Sequence, residues 1–167
     1  METYKVIEGF MDYSVSDHGN VKNNKTGKII KLSVQTDGYI RIGLRLNKVE
    51  YKKRVHTLVA SAFILNPDAK KCVDHINNDK TNNNISNLRW ATYVQNGMNK
   101  SMHKNNTSGV RGVYFSKSDK KWRAQISIDG IPIYLGLFTD LEDAKQARMI
   151  RANQAFGVFT NACEKII

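Results

Sequence analysis

Asp74 and His75 stand side by side at the edge of the stretch VDHINNDKTNNNISNLRWATYVQN, residues 73 to 96, in which seven positions are asparagine. An adjacent acid and imidazole suit hydrolysis. A carboxylate is a hard oxygen ligand, and Mg²⁺ takes only one or two ligands from protein, leaving places for phosphate and water. Asp74 offers a charged oxygen and Asn96 a neutral one. An imidazole is a poor ligand for such an ion. With an ordinary pKa of ~6.5, however, His75 can take a proton from water near neutral pH. One divalent ion, one base and one phosphodiester then make a hydrolytic site. The plainer alternative is an Asn-rich surface loop with an incidental Asp-His pair.

Local elements must bring these groups together. KCVDHI reads as a short β-type run that ends on Asp74 and His75. Asn and Asp form local side-chain turns and tolerate left-handed backbone, so NNDKTNNNIS reads as an ordered loop. NLRWA returns as a strand, and Thr92 is placed to cap a helix, with Gln95 at the capping-box position and Asn96 in the first turn, running to about Lys100. The order strand, loop, strand, helix sets the acid and base across a small gap from an amide. Arg89 has two uses open to it: clamping a phosphate, or lying on the exposed face of its strand beside core Leu88 and Trp90.

Upstream, Val55, Leu58, Val59, Ala62 and Phe63 fall at i, i+3, i+4, i+7 and i+8, an amphipathic helix closed by Asn66-Pro67. His56 lies beside that stripe and reads as a hydrogen-bonded histidine at a packed edge rather than a metal ligand. From Tyr13 to Tyr51 short β-rich runs alternate with the turn signals DHGN, NKTG and TDG, a β-meander. In YIRIGLRL the isoleucines and leucines take one face. Tyr39, Arg41 and Arg45 take the other, which suits a phosphate backbone or plain water equally.

Downstream of a polar linker, KSMHKNNTSG, which includes His103, β-alternation resumes in GVRGVYFS, KKWRAQISI and IPIYLGLF. Trp122, Ala124, Ile126 and Ile128 share one face; Lys121, Arg123, Gln125 and Ser127 share the other. A helix follows, with Thr139 as expected cap, Glu142 answering it and Gly157 ending it. Leu141, Ala144, Ala147 and Ala155 supply small apolar contacts that let it lie close to the sheet.

The whole chain limits the partners. Its 26 Lys and Arg outweigh 15 Asp and Glu, for a formal charge of +11, and a strong positive balance favours a polyanion, nucleic acid first. The longest apolar run, LVASAFIL, falls far short of the ~20 residues a membrane span needs, and METYKVIEGF has no signal core. No membrane partner is expected, and the location expected is cytoplasmic, that of a host cell if the chain is virus-encoded. Cys72 and Cys163 make neither a disulfide framework nor a zinc pair.

The stretch from Val55 to Asn96, with VHTLVASAFI, NP, VDHINNDKTNN, SNLRW and the later Asn, resembles the HNH family of ββα-metal nucleases, in the branch of phage and intron-encoded homing endonucleases. The resemblance implies His75 as general base, Asp74 and Asn96 as ligands of one Mg²⁺ or Mn²⁺ ion, and Asn87 as the residue that orients the loop holding His75. Asn96 stands where the family name has a final His, which argues against a zinc-type site. YKVIEGFMDYSVSDHGNVKN is similar to the small amino-terminal domain fused to such enzymes. SGVRGVYFSKSDKKWRAQISIDGIPIYLGLFTDLEDAKQAR resembles an APETALA2-type (ethylene-response-factor-type) DNA-binding domain. That implies major-groove reading through Arg111, Tyr114, Ser116, Arg123, Gln125, Ser127 and Tyr134.

The expected architecture is α+β: a β-rich module at 1–52, a ββα-metal nuclease core at 53–100, a linker at 101–108, and at 109–161 a three-stranded antiparallel sheet packed on one helix. The expected function is sequence-specific, metal-dependent cleavage of double-stranded DNA by a monomer that nicks one strand. A DNA-binding regulator with a relic nuclease fold is the rival.

Overall fold

The computed structural model describes residues 1–100, 102 and 105–165; His103 lies outside them. The chain divides into two compact units, Met1–Tyr93 and Val94–Ile167.

The first unit opens with an antiparallel sheet of β1 (Tyr4–Ile7), β2 (Phe10–Ser16) and β3 (Val21–Asn23) in that order. A second antiparallel sheet holds β4 (Ser33–Val34), β5 (Ile40–Leu46) and β6 (Val49–Arg54). The alternation expected of β5 is present at its centre, where Ile42 and Leu44 are buried and Arg45 is exposed. β6 is exposed along its whole length and ends Lys52, Lys53, Arg54, charges that blunt an unpaired sheet edge. The chain then passes directly into α1 (Val55–Phe63), as the 3.6-residue period predicts. Its buried Val55, Leu58 and Val59 join Ile7, Phe10, Val15, Val21, Ile42, Leu44 and Leu88 in one core. Each fully buried aliphatic side chain there is worth roughly 1.5–3 kcal/mol. The amino-terminal β-rich module and the helix of the following segment therefore stabilise one another. β7 (Cys72–His75) and β8 (Leu88–Ala91) form a two-stranded antiparallel hairpin, with a single 3-10 turn at Ile85–Asn87 inside its long loop.

α2 (Tyr93–Met98) starts at the division between the units, directly after Thr92, and is shorter than the expected helix. The second unit holds β9 (Val113–Ser116), β10 (Lys121–Ile128) and β11 (Ile131–Phe138), antiparallel in the order β11-β10-β9, and α3 (Leu141–Phe156). Ala144, Arg148, Ala152 and Phe156 form the buried stripe of α3. Two expectations for this helix change. Asp140, in extended backbone, is the residue before the first turn, so the cap is not Thr139, and Glu142 turns to Lys145 and Gln146 instead of reaching back. The buried stripe runs through Arg148, whose guanidinium pairs at 3.0 Å with the buried Glu164 near the chain's end, a partner too distant in sequence for helical periodicity to reveal. Gly157, at φ +50°, ends α3 as expected. Both cysteines are free thiols.

Candidate active site

The β7/β8 register sets Asp74 opposite Arg89 and His75 opposite Leu88. Asp74 is 4% exposed and His75 5%. Two nitrogens of Arg89 reach the same Asp74 oxygen: Nε donates to Oδ2 at 2.8 Å and Nη2 lies 2.6 Å away. The geometry shows neither of the two uses open to Arg89 but a third, intramolecular one: it holds a buried carboxylate by charge-assisted hydrogen bonding.

Three neighbours define the setting of His75. Its Nε2 hydrogen-bonds Oδ1 of Asn83 at 3.0 Å. An amide oxygen can only accept, so this contact favours the tautomer with the proton on Nε2. The ring packs edge-on against His56, centroids 4.8 Å apart, and tilted against Tyr39 at 6.0 Å; Tyr39 and His56 lie 5.0 Å apart. Burial pushes the imidazole of His75 below its ordinary pKa, opposed by the Asn83 contact and the Asp74 charge. His75 is thereby favoured in the neutral form, the one that can accept a proton.

His56 is 4% exposed. Burial, and next the adjacent His75, lower its pKa to about 3. The packed edge is as expected, but the expected hydrogen bond is not found at Nδ1, which has no partner among the described residues. Tyr39, expected on an outer basic face, instead contacts both histidines. Arg54 and Lys80 stack on its ring at 4.8 and 4.6 Å. Arg41 is bonded to Asp37, and Arg54 stands 3.8 Å from the same carboxylate. Arg45 alone of the two β5 arginines is fully on the surface.

The asparagines build the loop by a repeated device. Asn77 Oδ1 accepts from the Asp79 amide, Asp79 Oδ1 from Thr81, Asn82 Oδ1 from Asn84 and Asn84 Oδ1 from Ser86, all at 2.8–3.2 Å. Each side chain thus closes a turn two residues on, and Asn78 takes a left-handed φ of +64°. Asn87 ties the two sides together. Its Oδ1 accepts from Asn77 N at 3.1 Å, its Nδ2 donates to Asn82 O at 2.8 Å, and its carbonyl accepts from Ile76 N at 2.8 Å.

Residues 53–98 match the HNH endonuclease family. Residues 2–45 match the NUMOD4 motif. The chain is 44% identical over 93 residues to an uncharacterised HNH endonuclease of Acanthamoeba polyphaga mimivirus, an alignment covering 54% of this chain and 23% of that protein. It is 40% identical over 90 residues to the DNA endonuclease I-HmuI of Bacillus phage SP01, covering 53% and 52% respectively. The chain therefore spans about a quarter to a half of these relatives. A solved structure concerned with DNA binding and cleavage by the HNH homing endonuclease I-HmuI superposes with a TM-score of 0.57 at 28% identity, covering 93% of this chain and 83% of that one.

Asp74, His75 and Asn87 all fall in the HNH segment, as does Asn96, half-buried on α2. For a hard divalent ion the HNH segment offers two kinds of oxygen donor, the buried Asp74 carboxylate, already paired with Arg89, and the neutral Asn96 amide on α2. Among the described residues no group of three or more His, Cys, Asp and Glu is placed to enclose an ion.

In the second unit, the pairings Ser116–Lys121, Tyr114–Arg123 and Gln125–Tyr134 set these residues side by side on the face of the sheet away from the Ala124 and Ile126 core. Arg123 lies over the Tyr134 ring at 4.9 Å, and Ser127 is exposed on the same strand. Ser116 also accepts a local task, donating to Asp119 at 2.6 Å. Arg111 is the correction. Its guanidinium donates to the carbonyls of Gly97, Met98 and Lys100 at 2.6–3.2 Å and lies 3.8 Å from Glu164. It secures the carboxyl end of α2, where a cation satisfies carbonyls left without helical partners. A cationic residue in a strand-like sequence gives no sign of which of these two jobs it does.

Proposed function

We propose that this protein is a sequence-specific DNA endonuclease of the homing type that hydrolyses a phosphodiester with the help of one divalent cation, Mg²⁺ or Mn²⁺. The observation that carries the reading is the buried Asp74-His75 pair at the end of β7, with His75 Nε2 hydrogen-bonded to Asn83 and Nδ1 taken as the basic nitrogen. In the reaction, His75 Nδ1 takes a proton from water and the water oxygen attacks phosphorus. The bond to the leaving sugar oxygen breaks, and that oxygen takes a proton from solvent. Asp74 and Asn96 are the residues that would hold the cation, which when bound neutralises charge developing on the phosphate. Arg89 keeps Asp74 in place, and Asn87 keeps the loop closed behind His75.

The sheet of the second unit supports DNA recognition of the APETALA2 type, through Tyr114, Ser116, Lys121, Arg123, Gln125, Ser127 and Tyr134. Arg41 and Arg45 are proposed phosphate contacts, Arg41 only when it leaves Asp37. The substrate is double-stranded DNA, and the protein acts as a monomer in the cytoplasm of a host cell. No helix among the described residues is long and apolar enough to cross a membrane.

The test is cleavage of a plasmid library bearing candidate targets, with Mg²⁺, with Mn²⁺ and with chelator. Metal-dependent cutting that falls ~10²-fold or more in His75→Ala, with DNA binding retained, is expected of a lost general base. Binding with no cleavage under any metal would leave a DNA-binding regulator. Cleavage indifferent to His75→Ala would remove the base assignment.

A further inference from the structure

The loop that carries Asn83 is seated on the amino-terminal sheet. Ile85 N donates to Asp17 O at 2.8 Å, linking the loop to the turn between β2 and β3. At the tip of that turn Gly19 has φ +90°, and a Cβ placed on it would lie 2.8 Å from Asn83 Cβ and 3.4 Å from the Asn83 carbonyl oxygen. Only glycine combines that backbone with that approach. The turn is itself braced. The buried Ser16 hydroxyl accepts from His18 N at 3.2 Å and Asn20 N at 2.9 Å, Gly19 N donates to Ser16 O at 3.1 Å, and Asp17 Oδ1 accepts from Thr3 N at 3.1 Å. From this seat Asn83, 4% exposed, presents Oδ1 to His75 Nε2 at 3.0 Å.

We propose that the Ser16–Asn20 turn is a catalytic positioning element: it fixes Asn83, and Asn83 fixes His75 in the tautomer whose basic nitrogen is Nδ1. The module at 2–45, which matches a motif separate from the HNH segment, then contributes to the chemical step and not only to DNA binding. The inference rests on the reading of His75 as general base. A buried amide also serves the loop's own structure, so the measurement must see the imidazole itself.

In the full-length chain labelled with ¹⁵N-histidine, the ring-nitrogen shifts of His75, assigned by their loss in His75→Ala, report the tautomer. The parent should show protonated Nε2. Asn83→Ala should mix the tautomers and lower the single-turnover cleavage rate at saturating enzyme by ~10- to 100-fold, the usual scale for losing an orienting partner, with DNA affinity unchanged. Asn83→Asp, which keeps an acceptor oxygen in place, should restore the Nε2–H form and most of the rate. Gly19→Ala should reproduce the Asn83→Ala defect, and the double variant should be no worse than Asn83→Ala alone, since both act through one contact. An unchanged tautomer and rate in Asn83→Ala, or additive losses in the double variant, would overturn the proposal. Should Asn83→Ala lose its fold, Asn83→Asp and Gly19→Ala still decide it through the same shifts. If His75→Ala cleaves normally while Asn83→Ala disturbs the tautomer, the positioning contact stands and the base assignment falls.

Discussion

Acid should weaken the first unit through His56, and the size of the effect follows from its burial. Folded His56 stays neutral until its pKa of about 3 is reached. Unfolded, it takes up a proton below ~6.5. The unfolded chain therefore binds more protons throughout that interval, so the stability contributed by the neutral form is complete above the unfolded pKa and drains away as pH falls toward the folded one. Between about pH 7 and about pH 5 the linkage amounts to about 2 kcal/mol, with His75 adding in the same direction. Because His56 is 4% exposed, solvent screening does little to reduce it. The control is His56→Phe, which keeps a ring against Tyr39 and His75 but cannot titrate, and which removes a buried nitrogen whose missing partner costs ~1–3 kcal/mol. Urea unfolding followed by Trp90 fluorescence in a Trp122→Phe background, at both pH values, measures the difference. The parent should lose about 2 kcal/mol more than His56→Phe. Equal losses in the two proteins would refute the claim that His56 is held neutral by its surroundings.

Asp74→Ala should abolish cleavage at low Mg²⁺ and recover partly as the cation is raised; activity untouched by chelator would remove the cation from the mechanism. Arg123→Ala should relax sequence preference, since a good base-edge contact discriminates by ~1–3 kcal/mol, whereas Lys121→Ala should weaken binding to all sequences and flatten its salt dependence; selection from randomised sites and a salt titration separate the two. Arg111→Ala should cost the second unit ~1–3 kcal/mol by freeing three carbonyls while leaving base preference unchanged, which denaturation and the same selection would show. On supercoiled target plasmid, open circles should accumulate before linear DNA, because one site positions one water against one phosphate; direct linearisation by a dimer would exclude a monomeric nickase.

Periodicity made much of the fold legible. Val55, Leu58 and Val59 of the expected stripe are buried in α1, with Ala62 and Phe63 half-buried and His56 and Ala60 buried beside them, and the outward set on β10 is the set that two-residue alternation picks out. Where the sequence misled, a long-range polar partner had replaced an apolar one. Arg148 occupies a core position only because Glu164 meets it, and Arg111 turns inward only because α2 ends beside it. No local pattern announces such pairs, since the energy that justifies a buried charge lies in a residue elsewhere in the chain.

The candidate site divides along the same line. Asp74 and His75 were legible as an acid-imidazole pair beside an amide-rich loop, and Asn87 through the family resemblance, but nothing distinguished Asn83 from its neighbours Asn82 and Asn84. Their side chains close turns, while that of Asn83 alone of the three meets His75. Amide side chains suit both tasks. They saturate backbone donors that a long loop cannot pair by ladder bonds, and they do so without charge. Aspartates in the same turns would cap the backbone equally well, but would repel a phosphodiester were His75 to act as the proposed base. The acidic exception, Asp79, is on the exposed part of the loop with its carboxylate occupied by Thr81. An amide-built loop thus combines rigidity behind the imidazole with little added negative charge beside it.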